Sequence, residues 1–286
     1  MMIECISEIG KSDKPIAVFE EFDKRRFVGL TENSMTDKYK NMSGEELKDL
    51  IFSNNTNKDI VKTINNTRLT DKYVADGGKI MTIKNKSMMF LPDFSKEREL
   101  IYIFGPSGSG KSFLTSRFVK EFKLGRPDYD VFLFSRLSED SSLDFDYNHI
   151  DMDEEVLSNI DVESLENSIV IFDDTETPND KKVMKLVDNL KDLIAQEGRH
   201  YNITMIVTTH MACNYNRTRI ILNECQKYVI FPRGNGVKQM MNMLCDYGGL
   251  SQHQFEMVRK LDTRWCMLNT SYPNYIVYQS GITMLA

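Results

Sequence analysis

The residues best suited to chemistry stand at GPSGSGKS, Gly105 to Ser112, a full G-x-x-x-x-G-K-[ST] match. Gly108 and Gly110 permit backbone turns that aim successive N–H groups inward, an anion nest at the start of a helix. Lys111 brings a cation to the β- and γ-phosphates, and the Ser112 hydroxyl is a ligand for Mg²⁺. All of Gly105, Pro106, Ser107, Gly108, Ser109, Gly110, Lys111 and Ser112 form the expected cradle. An apolar run at 100–104 precedes the loop and a helical pattern over 111–122 follows. That context separates a phosphate loop from a chance Gly-Ser stretch. The expectation is a site for ATP with Mg²⁺.

Such a loop needs a partner carboxylate for the metal. SIVIFDDTE, Ser168 to Glu176, supplies an apolar strand that ends in acids. Asp173 is the magnesium-side carboxylate, the alternative being a helix N-cap at the strand exit. Asp174 is placed to orient and deprotonate the attacking water, with the longer Glu176 as its rival. The paired acids predict hydrolysis by the chain's own base and disfavour a small-molecule kinase.

A third segment, GRHYNITMIVTTH (Gly198 to His210), has a buried-strand centre with polar groups at both ends. If its strand lies beside the phosphate-loop strand, its carboxyl end faces the γ-phosphate. Thr208, Thr209 and His210 are then candidate sensors, the bland alternative being that His210 merely begins a polar loop. Arg199 sits at the opposite end, too far for the same nucleotide. It either reaches a neighbouring subunit's nucleotide in a ring or closes the 180–196 helix as a C-terminal cation.

The elements that must hold these groups follow from periodicity. Strands are expected at 100–104, 131–134, 169–172, 203–207 and 228–231, alternating with helical patterns. Short apolar strands between helices predict a parallel sheet covered on both faces. Two helices (237–247 and 252–261) and a hairpin (265–268 with 275–278) close the chain, and a hairpin at 80–83 and 88–91 opens the α/β part. Residues 1–77 read as polar and irregular, with a Ser43–Glu46 capping box, a Gly77-Gly78 turn and a solvated Lys24–Arg26 run. The division expected is an N-terminal extension, 1–78, and a P-loop domain, 79–286.

Composition narrows the classes. The 286 residues carry 27% charged and 41% hydrophobic side chains, an ordinary globular mixture with no apolar run of membrane-spanning length. The start, MMIECISEIGKSDK, has no signal-peptide core, so a cytoplasm-like compartment is expected. Five scattered cysteines without a C-x-x-C pair argue for free thiols over a zinc site or disulfides. A net charge of −6 argues against a basic coat but leaves room for DNA held by a few loops inside a ring.

Together, GPSGSGKS, IVIFDD and GRHYNITMIVTTH resemble the genome-packaging ATPases of poxviruses and other large nucleocytoplasmic DNA viruses, within the FtsK/HerA group of P-loop DNA translocases. VFLFSRLSEDSSLD, NYNRTRIILNECQKYVIFPR and the tail RWCMLNTSYPNYIVYQSGITML fit as well, so the resemblance covers 79–286. It implies an α/β P-loop NTPase with a mainly parallel sheet of the additional-strand, RecA/FtsK-like type. It further implies a homo-oligomeric ring that hydrolyses ATP and drives double-stranded DNA into a capsid, meeting capsid or portal-vertex proteins. The expected location is the host cytoplasm, in the virus factory, and the virion. By position Arg199 would be the arginine finger acting in trans, and Arg217, Arg219 and Arg233 are candidate DNA contacts. A helicase or other nucleic-acid-dependent ATPase, and a slow NTPase switch in virion assembly, are the competing readings.

Overall fold

The computed structural model describes residues 2–6, 15–21, 24–31, 74–75, 80–82, 87–137, 140–176 and 180–285. The Ser43–Glu46 box and the Gly77-Gly78 turn lie outside them. The stretch read as irregular contains three strands: β1 (Met2–Ile6), β2 (Pro15–Glu21) and β3 (Lys24–Thr31). Two short strands follow, β4 (Val74–Ala75) and β5 (Ile80–Thr82), and then β6 (Met88–Phe90). The expected hairpin between β5 and β6 does not form. β6 joins β1–β3 in a four-stranded antiparallel sheet, whereas β5 joins the main sheet. The reason is burial: Phe90 is fully enclosed, 5.9 Å from the Phe118 ring and 5.7 Å from Trp265, so β6 must be covered on both faces.

The main sheet is built on β7 (Leu100–Phe104), which the phosphate loop joins to α1 (Lys111–Gly125). Next come β8 (Asp130–Phe134), β9 (Asn148–Ile150), the short helix α2 (Glu154–Ser158) and β10 (Ser168–Asp173). α3 (Lys181–Glu197) leads to β11 (Thr204–Thr209), and α4 (Tyr215–Glu224) to β12 (Lys227–Ile230). α5 (Val237–Met241) widens into π turns over Asn242–Tyr247, and α6 (Gln252–Arg259) starts from a capping box at Ser251. β13 (Cys266–Asn269), β14 (Tyr275–Tyr278) and β15 (Gly281–Met284) finish the chain.

Across the described residues the sheet runs β4-β5-β15-β14-β13-β12-β7-β11-β10-β8-β9. The segment from β12 to β9 is parallel throughout, and the C-terminal strands add antiparallel to β12. β11 lies between β7 and β10, the inserted-strand order of an α/β P-loop fold.

Strand periodicity sends alternate residues to two cores. Ile101, Ile103, Ile169 and Ile171 meet Leu114, Phe118 and Phe122 of α1 on one face. Tyr102, Phe104, Val170, Phe172 and Val207 meet Val187, Leu190 and Ile194 of α3 on the other. Burying each such side chain stabilises the fold by about 1.5–3 kcal/mol relative to exposure. The alternation also decides chemistry, because Asp173 follows Ile169 and Ile171 onto the α1 face. No helix among the described residues is long and apolar enough to cross a membrane.

Candidate functional site

The loop from Gly105 to Gly110 turns through Gly108 at φ +71° and Gly110 at φ +110°, values that other residues rarely adopt. Gly110 is the N-cap of α1, yet no side chain caps the helix and no acid sits in its first turn. Among the described residues the N–H groups that begin α1 therefore have no capping anion, the arrangement of an anion nest. Lys111 is only 7% exposed, with its ammonium 3.1 Å from the Gly105 carbonyl oxygen, 3.4 Å from Asp174 Oδ2 and 3.4 Å from His210 Nδ1.

β10 and β11 bring the acids to this cation. Their register sets Asp173 directly opposite Thr208, whose hydroxyl donates to Asp173 Oδ1 at 2.5 Å. At Asp174 the chain leaves the strand with φ +46°, and its N–H reaches Thr208 Oγ1 at 3.2 Å. Asp174 Oδ2 lies 2.9 Å from His210 Nε2, while its Oδ1 is buried without a hydrogen-bond partner among the described residues.

Burial pushes the Asp173 carboxyl up. The Thr208 hydrogen bond and Lys111 pull it down, whereas Asp174 and Asp140 push it further up. A buried carboxylate among other acids is one that a divalent cation relieves. With the Ser112 hydroxyl at the start of α1, Asp173 gives an oxygen donor set of the kind Mg²⁺ takes, so the residues fit the ion.

Thr209 is not brought to the cluster. As the next residue on the strand it faces the α3 side, where its hydroxyl donates to the Met211 carbonyl and accepts from the Met211 N–H. Glu176 stands with it: its carboxyl is pushed up by burial, and held down by Thr209 and by Lys191. Thr208, weighed beside Thr209 and His210 as a sensor, is the threonine on the Asp173 face. Period-two alternation from Ile171 and Asp173 was the signal that could have separated the two.

Arg199 is exposed, on the 3₁₀ turn Gly198–Tyr201 at the far edge of the sheet, with its Nε 3.4 Å from the neighbouring His200 ring. It does not close α3. Arg98 does, donating to the Ile194 and Ala195 carbonyls at 2.8 and 2.9 Å. The candidate DNA contacts Arg217 and Arg233 have partners within the chain. Arg217 pairs with both Asp188 oxygens at 2.6 and 3.0 Å, and Arg233 pairs with Asp262. Arg264, which sequence reasoning missed, lies on the loop itself and donates to the Ser109 and Gly108 carbonyls at 2.9 and 3.3 Å. The separation of 155 positions between Arg264 and Ser109 left no local signal for that contact.

No protein-family model matches the chain. Among solved structures it is similar to the DNA-packaging ATPase B204 of Sulfolobus turreted icosahedral virus. That match is 15% identical, covers 68% of this chain and 98% of that one, and has a TM-score of 0.45. It is also similar to the pCW3 conjugation coupling protein TcpA, monomer form with ATPgS, at 12% identity, 75% and 68% coverage and a TM-score of 0.46. Uncharacterized protein V3 of Sputnik virophage is 34% identical over 191 residues, which span 66% of this chain and 78% of that protein. The relative is a virophage protein, not one of the poxvirus type named from the motifs. The chain belongs to the family of the Sputnik virophage protein V3.

Proposed function

We propose that this chain is an ATP-hydrolysing DNA translocase that packages viral double-stranded DNA into a capsid. The observation that carries the reading is the meeting of Lys111, Asp174 and His210 beside the uncapped start of α1. The nest and Lys111 bind the β- and γ-phosphates, and Asp174, whose side chain is 36% exposed, takes the proton of the attacking water. His210 lies 2.9 Å from Oδ2 of that carboxylate and fixes its direction. Thr208 orients Asp173, which with Ser112 would hold Mg²⁺. The ion, when bound, neutralises charge developing on the phosphoryl oxygens.

The DNA half of the reading is supported by the GRH-strand-TTH segment, and the viral setting by membership of the family of a virophage protein. The working form is a homo-oligomeric ring with Arg199 acting in trans, docked on capsid or portal-vertex proteins in the host cytoplasm. In it residues 79–286 form the motor and 1–78 an accessory extension.

The test is the steady-state ATPase rate with and without duplex DNA, beside the native mass of the assembly. Stimulation by duplex without strand separation, in an oligomer, is the expected result. Strand separation would instead make the protein a helicase, and indifference to DNA a slow assembly switch.

A further inference from the structure

On one flank of the loop, β10 and β11 present Asp173, Asp174, Thr208 and His210, which take the terminal-phosphate end of a nucleotide. The nucleoside must leave by the other flank, toward β12–β14. There Arg264 straddles two clefts. One, of about 440 Å³, runs along Pro106–Ser109 and Phe231. The other, of about 740 Å³, opens beyond Arg264 onto Phe113, Arg117 and Trp265.

The second cleft contains an unusual exposure. Phe113, the residue directly after Ser112 in the first turn of α1, is 61% exposed, and the exposed Arg117 stands one turn further on. The cleft floor is locked to the phosphate loop. Arg264 donates to the Ser109 and Gly108 carbonyls, and its own N–H donates to Gln279 Oε1 at 2.9 Å. The Gln279 N–H in turn reaches Thr263 Oγ1 at 3.2 Å. Among the described residues the Gln279 side-chain amide nitrogen keeps its donors for another group. An open aromatic face, nearby guanidinium groups and a spare amide donor suit one chemistry: a flat heterocycle with acceptors on its edge.

We propose that this cleft is the nucleobase subsite of the ATP site, with Phe113 as the stacking platform and Gln279 as the edge donor. Arg264 is a positioning residue that ties the subsite to the nest. The proposal rests on the nucleotide reading above and adds to it where the nucleoside lies.

Titration calorimetry of the full chain with Mg-ATP and, separately, with inorganic tripolyphosphate tests it. Wild-type protein should bind both, ATP more tightly. Phe113→Ala should weaken ATP about tenfold or more and leave tripolyphosphate unchanged, in the range that alanine substitution of a stacking ring costs. Phe113→Trp, which keeps a flat face, should retain ATP affinity. Because Phe113 is exposed, the melting temperature should not move in either variant. Equal losses for both ligands, or no loss for ATP, would overturn the subsite while leaving the phosphate cradle intact. Failure of the wild type to bind either ligand would instead remove the nucleotide reading itself.

Discussion

Asp174→Asn exchanges one carboxylate oxygen for an amide nitrogen at the point where Lys111 and His210 converge. Shape and hydrogen-bonding reach survive, and basicity does not. Positioned general bases contribute about 10²–10⁴-fold, so turnover should fall at least 10²-fold, which is about 2.7 kcal/mol on the barrier. Affinity should move the other way. The carboxylate lies 3.4 Å from the Lys111 ammonium and competes with the phosphates for it, so its neutralisation frees the cation. The side chain is 36% exposed, which screens that gain, and ATP should bind as well as in the wild type or up to about tenfold more tightly. Single-turnover hydrolysis at saturating Mg-ATP, with nucleotide affinity measured in parallel, reads both quantities. Glu176→Gln is the matched control, because Glu176 sits with Thr209 and Lys191 on the α3 face of the sheet. Normal turnover in Asp174→Asn together with a dead Glu176→Gln would refute the assignment and exchange the roles.

Arg199→Ala should bind ATP normally but lose turnover on the order of 10³-fold, the scale of a trans-acting guanidinium. Mixing it with Lys111→Ala protein, which lacks its own phosphate cation, should restore activity once exchange into mixed rings is verified; no recovery would end the trans role. A pH prediction comes from Lys191, whose ammonium lies 5.4 Å over the Phe172 ring and is pulled from 10.5 to about 8 by burial. The unfolded chain holds that proton at higher pH than the folded one, so the cost is fully present below pH 8 and gone above pH 10.5. Stability should rise across that window by up to ~3 kcal/mol, and Lys191→Met should remove this part of the rise in urea midpoints. An unchanged slope would assign the titration to another group.

Local pattern carried the phosphate loop, because strand, glycines, lysine and helix are contiguous and each predicts the next. β10 was legible for the same reason, an apolar run ending in acids. What the sequence did not yield were pairings across distance. Asp173 meets Thr208 through a register 35 residues apart, and only the fold sets that register. Thr208 and Thr209 look equivalent as letters, but the pleat gives one to Asp173 on the α1 side and the other to the α3 side. Arg98 rather than Arg199 closes α3 for a like reason, since either cation satisfies a helix dipole on paper. The N-terminal strands were hidden differently. β2 and β3 carry charges beside short apolar runs, and they become strands by covering α1 together with β6 rather than by strong alternation.

The two arginine placements have a consequence for assembly. With α3 closed by Arg98, the Arg199 guanidinium is not needed by its own helix, and it stands at the amino edge of the sheet, opposite the phosphate loop. The acids and Lys111 occupy the carboxyl edge of β10 and β11. A contact that served the proposed trans role would join the amino edge of one copy to the carboxyl edge of the next. Such a contact uses two different surfaces, so it is heterologous, and repeated by a closing rotation it makes a ring. A two-fold dimer places like patches against each other and cannot set Arg199 into the neighbouring site without building an interface from both edges at once. The proposed catalytic geometry and the proposed assembly therefore constrain each other: a monomer as the largest active species would remove Arg199 from catalysis even if every residue around Lys111 were correctly assigned.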